Sequence, residues 1–172
     1  MIFAVDWQHS FLNGLQLGDA PTAHLLSSMK RNGDLDNAVL IYFSDHGFRI
    51  GDYPETYAGN MENNLPFLFF AFPPWFEAQF PQLVANVRAN ARRLVTLFDV
   101  HKTLLHLLHL QTSAAPWPDR FEDDGKVVYS LLSKVPANRT CATAGIRMEF
   151  CGCNRMVDVD KGGSGEAGDP RF

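Results

Sequence analysis

Apolar residues gather along this chain into two kinds of stretch: short unbroken runs, and stripes that recur at helical spacing. Unbroken runs of about four to eight residues bounded by turn formers predict strands buried on both faces. Residues 2–5, 38–43 (Ala-Val-Leu-Ile-Tyr-Phe) and 67–72 (Phe-Leu-Phe-Phe-Ala-Phe, ended by Pro73-Pro74) fit that reading. Stripes predict helices. One covers 19–32, with Leu25, Leu26 and Met29 following Asp19 and Pro21, and Gly33 as its stop. A second opens at Pro81 and carries Leu83, Val84, Val87, Ala91, Leu94 and Val95 on one face. A third, N-capped by Asp99, carries Val100, Thr103, Leu104, Leu107 and Leu108. The first 45 residues therefore read strand, helix, strand, for which a right-handed parallel crossover is the expected connection. Residues 48–64, polar and bearing Gly and Pro, read as a long loop. Beyond Gln111 the periodicity fades through Ala114-Ala115-Pro116-Trp117-Pro118, leaving one short element at 127–132 and a Gly-rich tail at 161–172 expected to be disordered.

The run at 38–43 delivers the chain to Ser44-Asp45-His46-Gly47, where an open α/β sheet places its chemistry. A carboxylate oxygen and an imidazole nitrogen both suit a divalent metal such as zinc. The alternative is a solvated Asp-His turn bent by Gly47. His9 follows the first predicted strand and can reach the same end of the sheet. His101, His106 and His109 are spread around the third helix, His106 and His109 on its solvent side. Neither a Gly-x-Ser-x-Gly elbow nor a Gly-rich phosphate loop occurs, and Ser10 and Ser44 lack a recognisable base and oxyanion loop, so nucleophile candidates are poor.

Composition narrows the partners. Fifteen basic against nineteen acidic residues, a formal charge of −4, and no basic stripe with interleaved aromatics argue against nucleic acid. The apolar stretch around residues 65–76 is broken by Pro66, Pro73 and Pro74 and falls short of the ~18 residues of a membrane span. The opening Met-Ile-Phe-Ala-Val meets Asp6 at once and lacks a basic flank, reading as strand rather than signal peptide. Cys141, Cys151 and Cys153 cluster in the last third behind the acceptor triplet Asn138-Arg139-Thr140, which points to an oxidising compartment with a glycan at Asn138. Three cysteines leave one without an intrachain partner, and the pairing stays open.

A series of motifs resembles, in order, domain of unknown function family 229, an animal family in the sulfatase-like branch of the alkaline-phosphatase superfamily. The series runs His9-Ser10-Phe11-Leu12-Asn13 with Asp19, residues 44–51, residues 56–62, Leu65-Pro66-Phe67, Pro73-Pro74-Trp75-Phe76, Asn86 with Asn90, residues 97–104, and Cys141, Ile146, Cys151 and Cys153. The resemblance implies a partial alkaline-phosphatase-like sandwich over residues 1–112, its mainly parallel sheet flanked by helices, then an irregular cysteine-bearing extension over 113–160 and the tail. It implies two metal positions, commonly zinc, with calcium or manganese as alternatives. Asp45 and His46 match the pair that ligates one metal and His9 the histidine at the other, while Ser10 stands where many relatives are acidic. The nucleophile is expected upstream of Met1, so the chain would be the C-terminal part of an extracellular or secretory-pathway hydrolase of anionic phosphate or sulfate esters, inactive alone. Arg49 is a candidate for steering the anionic substrate, a plain surface arginine being the alternative. A non-catalytic extracellular interaction domain that keeps the fold is the competing expectation.

Overall fold

The computed structural model describes residues 13–112 and 115–153, so the predicted strand at 2–5, His9 and the tail lie outside the described residues. The chain divides into two compact units, residues 1–81 and 82–172.

In the first unit, α1 (Leu15–Arg31) runs through Pro21 rather than starting beside it. It ends as expected. Gly33 takes φ +77°, and the amides of Gly33 and Asp34 bond the carbonyls of Lys30 and Met29, a Schellman stop that only a residue tolerant of positive φ closes without strain. Strand β1 (Leu40–Phe43) pairs with β2 (Leu68–Ala71), Leu40 opposite Ala71 and Phe43 opposite Leu68. The pairing is antiparallel, and no parallel sheet occurs among the described residues. The expected parallel crossover fails for a local reason. The segment leaving β1 is bonded to the segment entering β2, Ser44 amide to Phe67 carbonyl (3.2 Å) and Gly47 amide to Asn63 carbonyl (3.3 Å), so β2 starts where β1 stops. Only a chain carried back to the other end of β1 could pair in parallel. Neither strand is buried on both faces: Tyr42 and Phe43 are 41 % and 38 % exposed. The apolar runs here are half-covered, and among the described residues of this unit the buried aromatic is Phe76 of α3 (Pro74–Gln79), packed against Phe72 and Phe80.

The expected loop at 48–64 contains structure. A 3-10 turn (Tyr53–Glu55) leads into α2 (Tyr57–Asn64), whose N-cap Thr56 accepts the Gly59 amide at 3.0 Å. Gly59 inside this helix is required by contact: a β-carbon there would overlap the Tyr53 carbonyl.

The second unit is built from α4 (Pro81–Asn90), α5 (Leu97–Thr112) and the hairpin β3 (Phe121–Asp123) and β4 (Lys126–Val128). Asp124 and Gly125 turn the hairpin with φ of 48° and 74°, as a two-residue type I′ turn requires. Behind it the irregular segment 129–135 buries Ser130, Leu131, Leu132 and Val135, and its peptide groups are met by side chains. The amides of Tyr129, Leu131 and Val135 bond Asp99 Oδ1 (2.8 Å), Thr103 Oγ1 (2.8 Å) and Asn90 Oδ1 (3.0 Å). The carbonyls of Leu131, Leu132 and Ser133 accept from Asn90, Asn86 and Asn90 again. A buried stretch with no strand partner is tolerable only with such pairing. Two expectations change accordingly. Thr96 caps α5 and Asp99 sits three residues in, its carboxylate bonding the Thr96 amide (2.6 Å). The face of α5 turned inward carries Asp99, Val100, Thr103 and His106, whereas Leu104, Leu105 and Leu108 are exposed.

The structure thus replaces a mainly parallel, alkaline-phosphatase-like sheet with a mixed α/β arrangement: among the described residues, five helices and two small antiparallel two-stranded sheets.

Candidate functional site

β1 ends at Phe43, and the four residues after it turn against the C-terminal half of α2. Gly47 makes this possible through contact rather than dihedral freedom. It is absent from the positive-φ residues, but a β-carbon on it would overlap the Glu62 carbonyl and the Asn63 amide. Gly47 therefore serves a backbone-to-backbone approach that seats the turn carrying the Asp-His pair against α2.

Asp45 accepts the His46 amide on Oδ1 at 3.0 Å, so its carboxylate is anchored although its side chain is 79 % exposed. The His46 ring is 30 % exposed, and its Nδ1 lies 2.6 Å from the Gly47 carbonyl. A carbonyl only accepts, so Nδ1 carries the proton, and in the neutral ring the free lone pair is on Nε2. Nε2 faces Asp45 Oδ2 at 3.5 Å. In the neutral ring two acceptor atoms at that spacing repel unless a cation joins them; in the protonated ring Nε2 carries a proton and the contact is an ion pair. A tetrahedral zinc ion with bonds of ~2.0–2.1 Å needs donors about 3.3–3.4 Å apart. A ligating histidine that donates its other nitrogen to a carbonyl is the usual outer-shell arrangement of metal sites. The donor set fits.

Arg49, the predicted anion contact, is exposed, with Nε bonded to Asn63 Oδ1 at 2.9 Å. That bond ties it to the same helix end that seats Gly47. Asn63 is thus a member of the site that sequence patterning passes over, since nothing in an Asn-rich stretch marks which asparagine faces the turn. Glu62 beside it accepts from the Tyr53 hydroxyl and, with desolvation, holds that phenol above its ordinary pKa of 10.0. His9, expected at a second metal position, lies outside the described residues.

The remaining candidates sit elsewhere. His106 is not on the solvent side of α5: it is 5 % exposed, stacked on Trp117 at 4.7 Å with the rings 7° apart, its Nδ1 2.9 Å from Ser130 Oγ. Burial, and secondarily the nearby His109, lowers its pKa from 6.5 to about 4. Among the described residues, a cluster of three metal-capable donors is formed by Cys141, Cys151 and Cys153, but the first two are disulfide-bonded. Asn138 is exposed beside the buried Arg139, whose guanidinium pairs with Asp99 at 2.7 Å and 3.2 Å. No helix among the described residues is long and apolar enough to cross a membrane.

Comparison with known proteins gives a family without an activity. No curated protein and no solved structure matches the chain. The family profile described as "Protein of unknown function (DUF229)" matches residues 1–166, nearly the whole length, and the chain belongs to that family.

Proposed function

We propose that the turn at Asp45 and His46 holds one divalent metal, zinc by preference, in a hydrolase of phosphate or sulfate esters related to the sulfatase-like branch of enzymes. The observation that carries this reading is the facing pair of acceptors, His46 Nε2 and Asp45 Oδ2, 3.5 Å apart with Nδ1 committed to the Gly47 carbonyl. When bound, the metal polarises the ester oxygen and lowers the pKa of the nucleophile. This chain's own residues hold and orient: Asp45 and His46 supply donors, Gly47 and Asn63 fix the turn, His9 serves a second position, and Arg49 attracts the anionic ester. The exposed acceptor Asn138 and the Cys141–Cys151 bond support an extracellular or secretory-pathway setting.

The test is hydrolysis of p-nitrophenyl phosphate and p-nitrophenyl sulfate by the intact protein, with and without a chelator. Activity on one of them is expected to be lost on chelation, restored by zinc, and lowered on the order of 100-fold or more in Asp45→Asn. Release that ignores both the chelator and the substitution defeats the reading. So does an intact protein inert on both esters, which would leave a non-catalytic interaction domain.

A further inference from the structure

The sulfur cluster contains more than a structural bridge. Cys141 and Cys151 are both buried and bonded to each other, whereas Cys153 is a free, exposed thiol, and the three Sγ atoms all lie within 4.8 Å of one another. A thiolate held that close to a disulfide is the reactant arrangement for thiol–disulfide exchange, whose rate is set by thiolate fraction and access.

We propose that Cys153 exchanges with the Cys141–Cys151 bond. The Cys153 thiolate attacks Sγ of Cys141; the new Cys141–Cys153 bond forms as the Cys141–Cys151 bond breaks and Cys151 leaves as thiolate. The proton shed by Cys153 to water is regained from water by Cys151, so no oxidant or reductant is consumed. Cys141 is the electrophile because attack on Cys151 would close a ring across Gly152 alone, whereas Cys141–Cys153 encloses a loop only two residues longer than the present one. Loop-closure entropy therefore barely distinguishes the two pairings. Burial does distinguish them: the exchanged form leaves Cys151 as the free thiol at a buried position, so Cys141–Cys151 is the major form. The exchange also carries the bond from a buried pair to one with an exposed end, where an outside thiol reaches it.

Peptide mapping of the oxidised 172-residue chain reads this directly. Free thiols are blocked with N-ethylmaleimide either at once in mild acid or after incubation at about pH 8, where a useful fraction of thiolate forms. Trypsin then yields peptide 140–147 joined to peptide 148–155, and fragmentation locates the label. Label is expected on Cys153 throughout, with a minor Cys151-labelled species that grows on incubation and is lost in Cys153→Ser. Label confined to Cys153 after incubation overturns the proposal. Cys151→Ser, reoxidised in a glutathione buffer, is expected to form Cys141–Cys153; recovery of both cysteines as labelled thiols would also overturn it.

Discussion

Gly47 carries the candidate site at the level of single residues. Its replacement by Ala drives a methyl group into the Glu62 carbonyl, and the turn must separate from α2. A loss of about 1–3 kcal/mol is expected in urea denaturation, the usual cost of forcing atoms into a filled space, together with weaker zinc binding. A variant as stable and as zinc-competent as the parent would show that the close approach does not matter. His106 sets a pH dependence. Its pKa is about 4 in the folded chain against 6.5 unfolded, so the unfolded state takes up the proton first as pH falls. The stability gained from keeping the ring neutral is fully present above about pH 6.5 and is lost as pH drops toward 4. Melting temperature measured across this window should fall in the parent and fall less in His106→Asn; parallel curves would contradict the assignment. Asp99 and Arg139 form a buried pair, with side chains 0 % and 2 % exposed. Removing one charge strands the other. Arg139→Met is expected to destabilise by roughly 3–5 kcal/mol, whereas a change below 1 kcal/mol would mean the pair is replaceable by packing alone.

Among the elements, legibility in the sequence followed the source of each one's stability. Helices α1, α4 and α5 are legible in outline because spacing and stop signals are local, Gly33 being the plainest case, but α4 stops at Asn90, so Ala91, Leu94 and Val95 of its expected apolar face lie beyond it. Helix α2 is not legible. Its stability comes from the Thr56 cap and from Gly59 fitting under the Tyr53 carbonyl, and a glycine that serves a contact reads in sequence as a breaker. The β3–β4 hairpin has one clear signal in sequence, the Asp124-Gly125 turn, masked by the polar Glu122 and Asp123 of its first strand. Strand direction had no local signal, because it depends on Ser44 and Gly47 bonding Phe67 and Asn63. The inward face of α5 departs from its apolar stripe because hydrophobic periodicity assumes an apolar core, whereas this face supplies hydrogen bonds to segment 129–135. Asn90 makes the same point on α4. With three bonds to that segment, Asn90→Ala is expected to cost about 2–5 kcal/mol, more than Val84→Ala on the same helix. The reverse order would restore the apolar-core view.

For the whole chain, the family motifs divide into two groups with different jobs. Asn86, Asn90, Asp99 and Thr103 hold the second unit together, and Cys141 and Cys151 close its end. Those residues account for much of the resemblance without any chemistry. In the first unit, Asp45, His46, Gly47 and Arg49, with Asn63 behind them, form the turn that sets His46 Nε2 3.5 Å from Asp45 Oδ2. The position of that turn at the end of an apolar run was readable from sequence. Its geometry was not, because the ring tautomer and the 3.5 Å donor spacing depend on the fold around Gly47. The central claim is that Asp45 and His46 bind a metal. Calorimetric titration of zinc into the 172-residue chain, with cobalt as a spectroscopic stand-in, tests it most directly. Saturable binding weakened on the order of tenfold or more by either Asp45→Ala or His46→Ala, with the fold intact by circular dichroism, is the result expected. Binding that both substitutions leave unchanged, or no binding by the folded parent, would contradict it.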